Sequence, residues 1–239
     1  MKLDILPVRV GSAAENMALD LLLLQRYVPS TQPRFRHYGW RSPAWTFGYG
    51  QKIAWVRAQL PAEERLEICR RPTGGGLVDH RDDWTYSLVI PRGHPLEELR
   101  ATQSYRLIHE ALAEALRTQH VAAVVKPPAS LPDAEAPAGP EGVCFQRAEV
   151  SDVVHAVTGE KIAGAAQKRN KHGLLFQGSI ARTVAGPQVD WEGLHDDFSA
   201  KLATALTVTP QLSPWPELHE DEVSALQDHY ASPEWIEYR

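Results

Sequence analysis

The chain has 239 residues, 43% of them hydrophobic, enough for one large core or two modest ones, and it reads as one domain over 1–239. A net charge of -5 and a pI near 6.1 remove any general electrostatic drive toward nucleic acid or an anionic membrane. The apolar run Leu21 to Leu24 is far short of the roughly 20 residues a membrane helix needs, and no secretory pattern opens the chain, so a cytoplasmic protein is expected.

Residues 3 to 10 alternate weakly and predict a short strand. Ser12 stands three before Glu15, a capping-box spacing, and Met17, Leu21, Leu24 and Val28 recur at helical intervals, predicting a helix of about four turns. Trp40, Trp45, Phe47 and Tyr49, punctuated by Pro43, Gly48 and Gly50, predict strands and turns. "LEICRRP" reads as a strand ending where Pro72 removes an amide donor, and "WTYSLVIP" as a clearer one bounded by Pro91. Residues 103 to 118 carry Leu107, Ile108, Ala111, Leu112, Ala115 and Leu116 on one helical face.

From 126 to 142, "KPPASLPDAEAPAGPEG" holds five prolines in 17 residues with little apolar content, predicting a mobile loop. "SDVVHAV", "KIAGAAQKR" and "LLFQGSI", joined by the turns "TGE" and "NKHG", predict a three-stranded meander. The tail from about Asp190 holds two predicted helices separated by "TPQLSPWPE". This order lacks the regular alternation of a doubly wound sheet. It predicts an α+β fold with a mixed, mainly antiparallel sheet flanked by helices.

The residues that carry chemistry cluster in three stretches. In "RRPTGGGLVDH", Arg70 to His80, adjacent glycines let backbone amides approach a ligand, and the guanidinium forks of Arg70 and Arg71 suit a carboxylate or phosphate. The stretch lacks the lysine of a Walker A loop and the spacing of a dinucleotide fingerprint, so a plain strand-to-strand turn stands beside the ligand reading. Cys144, in "EGVCFQ", is either a small apolar anchor or a nucleophile, whereas Cys69 sits in an apolar strand pattern and reads as core.

Lys161 opens a strand whose Ala163, Gly164, Ala165 and Ala166 leave a shallow surface, either a packing face or a pocket wall. There the lysine is a solvated side chain or a group that holds an anion or stabilises a thiolate. Lys168, Arg169, Lys171 and His172 form a basic hairpin tip, a solvated turn or a docking patch for an acidic protein. The ten histidines show no metal-ligand spacing, and "HEALAEAL" gives His109 and Glu110 without the second histidine of a zinc-protease helix. No metal site is predicted.

"ENMALD", "RRPTGGG" with His80, "GEKIAGAAQKR" and "GSI", in that order from about Glu15 to Ile180, resemble the catalytic domain shared by lipoate-protein ligases, octanoyltransferases and biotin-protein ligases. The resemblance implies a biotin/lipoate ligase catalytic-domain fold, with the glycine loop and "KIAGAAQ" strand lining a tunnel for an eight-carbon acyl chain. It places Arg71, Thr73, Gly74, Gly75, Gly76 and His80 in the acyl- or adenylate-binding loop, Gly164 and Ala165 on the tunnel wall, and Lys161 at the active-site lysine.

"CFQ" and "TYSLVIP" are similar to the cysteine-dependent octanoyltransferases. That likeness implies a Cys144 nucleophile that takes octanoyl from acyl carrier protein and passes it to a lysine of a lipoyl domain, in a 2-oxoacid dehydrogenase or the glycine cleavage H protein, with no cofactor. The triple glycine is closer to the ligases' loop and implies the alternative, ligation through lipoyl-AMP with ATP and Mg2+. Gln177 stands where the family commonly carries a histidine, which keeps a non-catalytic carrier-domain-binding relative as a third expectation.

Overall fold

The computed structural model describes residues 1–26, 32–61, 66–128 and 147–238. Cys144 and most of the Pro-rich segment at 126–142 lie outside the described residues. The first predicted strand is two, β1 (Lys2–Ile5) and β2 (Arg9–Gly11), both parallel to β3 (Arg34–Trp40). Pro7 has no amide to give a ladder, so the pairing stops there; it resumes one residue out of register, Asp4 facing Arg34 but Arg9 facing Tyr38. Between β2 and β3 lies α1 (Ala13–Gln25), whose first turn is closed by the Ser12–Glu15 capping box.

A separate three-stranded sheet, with β4 (Ala44–Phe47) between β5 (Glu67–Arg70) and β6 (Leu77–Asp79), holds the glycine loop between its last two strands; α2 (Ile53–Gln59) precedes β5. The main sheet continues through β7 (Asp83–Pro91), and after α3 (Pro95–Glu98) and α4 (Ala101–Thr118) through β8 (Ala123–Val125), β9 (Val153–His155), β10 (Lys161–Asn170) and β11 (Gly173–Ala181). After α5 (Arg182–Ala185) and α6 (Trp191–Ala205), β12 (Thr209–Leu212) adds a parallel strand beside β1, and α7 (Glu220–Ala231) and α8 (Pro233–Ile236) follow.

The nine-stranded order is β12-β1-β3-β7-β11-β10-β9-β8, with β2 also on β3; it is antiparallel from β3 to β8 and parallel at the other edge. The expected mixed, mainly antiparallel sheet is therefore present, as is the meander. The segment "TPQLSPWPE", expected only to separate helices, supplies β12 instead. An edge strand pairs along one rim, so Pro210 is tolerated there.

Side-chain alternation divides the sheet into two unlike faces. Along β7, Trp84, Tyr86, Leu88 and Ile90 join Phe35, Phe176 and Ile180 in the main core with α4 and α6. Each such side chain contributes about 1.5–3 kcal/mol by leaving water. Thr85 and Ser87, equally buried, point the other way, as do Gln177 and Ser179 of β11 and Arg36 and Tyr38 of β3. That second face meets α1 and the glycine loop. It is the polar side of an otherwise buried sheet, and it carries the site.

Candidate active site

The pocket on this face is bounded by the glycine loop, the start of β10, the middle of β11, and Trp40, Tyr38 and Met17; it encloses about 500 Å³ including its solvent-open mouth. Arg71, Gly75, His80, Lys161, Gly164 and Ala165 lie on its wall. Thr73 stands behind it, its hydroxyl donating to Gln177 Oε1 at 2.7 Å, and Gly74 and Gly76 are tied in through their carbonyls.

The glycine loop is held from inside the protein. Arg71 is 5% exposed, and its guanidinium donates to Gly74 O (2.9 Å), Gly76 O (2.8 Å) and Thr46 Oγ1 (2.8 Å). The fork expected to meet an anion is directed at backbone oxygens. Arg70 does likewise, donating to the carbonyls of Tyr49, Gln51, Trp235 and Ile236 and so fastening α8. Gly75 has φ +87°, a conformation that favours glycine, and its carbonyl lies where a side chain on Gly48 would have to go.

Behind the loop, His80 uses both ring nitrogens: Nε2 lies 2.7 Å from Thr46 Oγ1 and Nδ1 2.6 Å from Asp83 Oδ2, with the ring stacked on Trp40. Asp83 Oδ2 also accepts from the hydroxyls of Thr85 and Ser179. Burial alone would push the Asp83 carboxyl up, but His80 and these donors outweigh it and hold it below the usual range. A hydrogen-bonded chain thus runs from Asp83 through His80, Thr46 and Arg71 to the glycine loop.

A second network lies under the pocket around Asp20, the last residue of "ENMALD". Its carboxylate pairs with Arg36 Nε at 2.8 Å and accepts from Ser87 Oγ and, at 2.7 Å, from Gln177 Nε2. Gln177 therefore bridges Asp20 to Thr73, one carboxamide with a donor for one and an acceptor for the other. Sequence reasoning missed Asp20 and Thr46 as partners, because both meet the site from distant segments.

Lys161 is positioned differently. Its ammonium pairs with Asp152 Oδ2 at 2.7 Å, both side chains under a tenth exposed. Asp152 was not singled out in the sequence; its place just ahead of the "TGE" turn and Lys161 was the available signal. A Cβ on Gly164 would lie 2.6 Å from Lys161 Nζ, so the absent side chain is the space the lysine occupies. Cys69 is core, as expected, and burial pushes its thiol up to about 12, leaving it unreactive. At the hairpin tip, Arg169 donates to the carbonyls of Glu97 and Leu99, and the Lys168 ammonium lies 5.7 Å from the Tyr49 ring centre, so part of the basic run is used inside the protein. Among the described residues there is no metal-binding cluster and no helix long and apolar enough to cross a membrane.

A family model for the lipoyl protein ligase A/B catalytic domain matches residues 12–229. Octanoyltransferase LipM of Halalkalibacterium halodurans is 35% identical over 189 residues, 78% of this chain and 66% of that protein. The LipM of Geobacillus kaustophilus is 37% identical over 173 residues, 70% of this chain and 60% of that protein. The chain thus spans about two thirds or less of these relatives' lengths. A putative lipoate protein ligase structure from T. acidophilum superposes with a TM-score of 0.73 over all of both chains at 17% identity, a likeness of fold.

Proposed function

Because the chain belongs to the lipoyl protein ligase A/B catalytic-domain family, we propose that it is a single-domain cytoplasmic acyltransferase that moves an octanoyl or lipoyl group from acyl carrier protein, through a thioester on Cys144, to a lysine of a lipoyl domain. The similarity to octanoyltransferases across most of the chain supports this reading. The observation that carries it in the molecule is the buried Lys161–Asp152 pair on the wall of a pocket faced by Gly75, Gly164 and Ala165.

In this mechanism the acyl chain lies along the small residues of β10, at a gain of about 0.8 kcal/mol for each methylene removed from water. The Cys144 thiolate attacks the carrier thioester, the carrier leaves as a thiolate that takes a proton from solvent, and the acyl group rests on the Cys144 sulfur. The Lys161 ammonium, held by Asp152, stabilises negative charge at the thiolate and at the reacting carbonyl. Arg71 holds the Gly74 carbonyl and so fixes the loop at Gly75, whose amide is the proposed donor for the tetrahedral oxyanion. The neutral amine of the acceptor lysine then attacks the enzyme thioester and loses its proton. An amide forms, and Cys144 leaves as thiolate. The amide is the more stable product, so no nucleotide is consumed.

Mixing the protein with octanoyl carrier protein and weighing it intact tests this: wild type gains one octanoyl group, and Cys144→Ser abolishes the gain or makes it resistant to hydroxylamine. Unmodified wild type contradicts the reading. Gly76, the third glycine of the ligase-like loop, favours one alternative, an ATP-dependent lipoate ligase that works without Cys144.

A further inference from the structure

His109, from the stretch "HEALAEAL", has no part in the proposed chemistry. It sits on the core face of α4 and is 1% exposed. A buried imidazole is unfavourable without partners, and burial lowers its proton affinity against the opposing pull of Asp152 and the Ser151 carbonyl. Its Nδ1 bonds the carbonyl of Ser151. A carbonyl only accepts, so Nδ1 carries the proton and Nε2 a lone pair, which has no hydrogen-bond partner among the described residues.

What His109 grips is the residue before Asp152. Ser151 has φ +73°, a conformation that a non-glycine residue adopts only when its surroundings hold it there. Its amide donates to Lys126 O at 3.0 Å, and the Asp152 carbonyl accepts from Lys126 N at 2.8 Å. The Asp152 carboxylate accepts from the Glu149 amide at 2.7 Å and faces Lys161 at 2.7 Å. Backbone bonds fix this turn on one side, and His109 fixes the Ser151 carbonyl on the other.

We infer that His109 is a positioning residue for the reaction: by holding the Ser151 carbonyl, it keeps the backbone in the left-handed turn that aims Asp152 at Lys161. The inference rests on the proposed role of Lys161. It assigns His109 no contact with substrate and no proton transfer.

The test compares His109→Asn, whose amide nitrogen falls where Nδ1 lay, with His109→Gln, whose amide reaches the Nε2 position, and His109→Leu, which has no donor. Octanoyl transfer to a lipoyl domain should lose kcat on the order of 10- to 100-fold in Leu and Gln, as for a misplaced catalytic group, with KM changed less than about twofold and Asn restoring most of the rate. In an Asp152→Asn background, His109→Leu should add little further loss. Equal rates for Asn and Gln, or an undiminished loss in that background, would overturn the inference.

A second readout needs no turnover. Amine-directed labelling of folded protein, followed at the Lys161 peptide by mass spectrometry, should run faster in His109→Leu and His109→Gln than in wild type or His109→Asn. Unchanged labelling overturns the positioning role. Wild type without acyl transfer, but with the labelling difference intact, would sink the proposed function and leave the His109 geometry standing.

Discussion

The two walls of the pocket are built on opposite principles. The glycine-loop wall is tied by Arg71 and His80 into a chain of hydrogen bonds that ends on Asp83, and every link named there is a protein group. The β10 wall rests on one ion pair, Lys161 with Asp152, beside a glycine that leaves it room. A chain of linked hydrogen bonds rigidifies a surface, whereas a charge pair at a pocket wall can exchange its partner for a reacting group. One wall is a mould and the other a tool. Changes on the first should therefore register in stability as well as in rate, and changes on the second in rate alone.

The largest expected effect is on the tool side. Lys161→Ala should reduce transfer on the order of 10² to 10³-fold or more, measured as single-turnover acyl transfer on protein shown to be folded. On the mould side, Arg71→Ala removes the donor shared by Gly74 O, Gly76 O and the buried Thr46 hydroxyl and should lower unfolding free energy by about 2 to 4 kcal/mol in a denaturant titration. Arg71→Lys should recover less than half of that, because an ammonium cannot span the fork. If Arg71→Lys matched wild type in stability, the contrast between the walls would fail.

Gly164→Ala sharpens the comparison. Its methyl would press on the flexible end of Lys161, so kcat should fall about 10-fold while the unfolding midpoint barely moves. An effect confined to low pH lies away from the pocket, where burial holds His37, stacked on Trp84, down at about 4 against an ordinary 6.5. Between those values the unfolded chain binds a proton that the folded chain resists, so stability falls as pH drops from 6.5 to about 4. Asp83, held low, keeps its contribution above the ordinary carboxylate range and loses it at still lower pH. In urea titrations against pH, His37→Gln should flatten the upper part of this fall and leave the lower part.

Much of this was legible in the chain because it is local. The Ser12–Glu15 cap, the helix at α4 and the hairpin of β10 and β11 depend on spacings within one segment. The run of Ala and Gly behind Lys161 left a packing face and a pocket wall both open, and Gly164, Ala165 and Ala166 line the pocket. What the sequence hid was who partners whom. The forks of Arg70 and Arg71 looked free for an anion, yet the glycine loop and α8 supply carbonyls that only folding brings near. Asp152 is nine residues from Lys161 and meets it because β9 and β10 pair antiparallel. Strand β12 was invisible for a related reason: its pairing with β1 joins opposite ends of the chain, and its Pro210 argues against a strand anywhere but an edge.

The central claim is that the acyl group reaches the acceptor from sulfur. Transfer of octanoyl from carrier protein to a lipoyl domain, run with and without ATP on wild type and Cys144→Ala, tests it most directly. Transfer by wild type without ATP, lost in Cys144→Ala, is the predicted result; transfer that requires ATP and survives Cys144→Ala would contradict it.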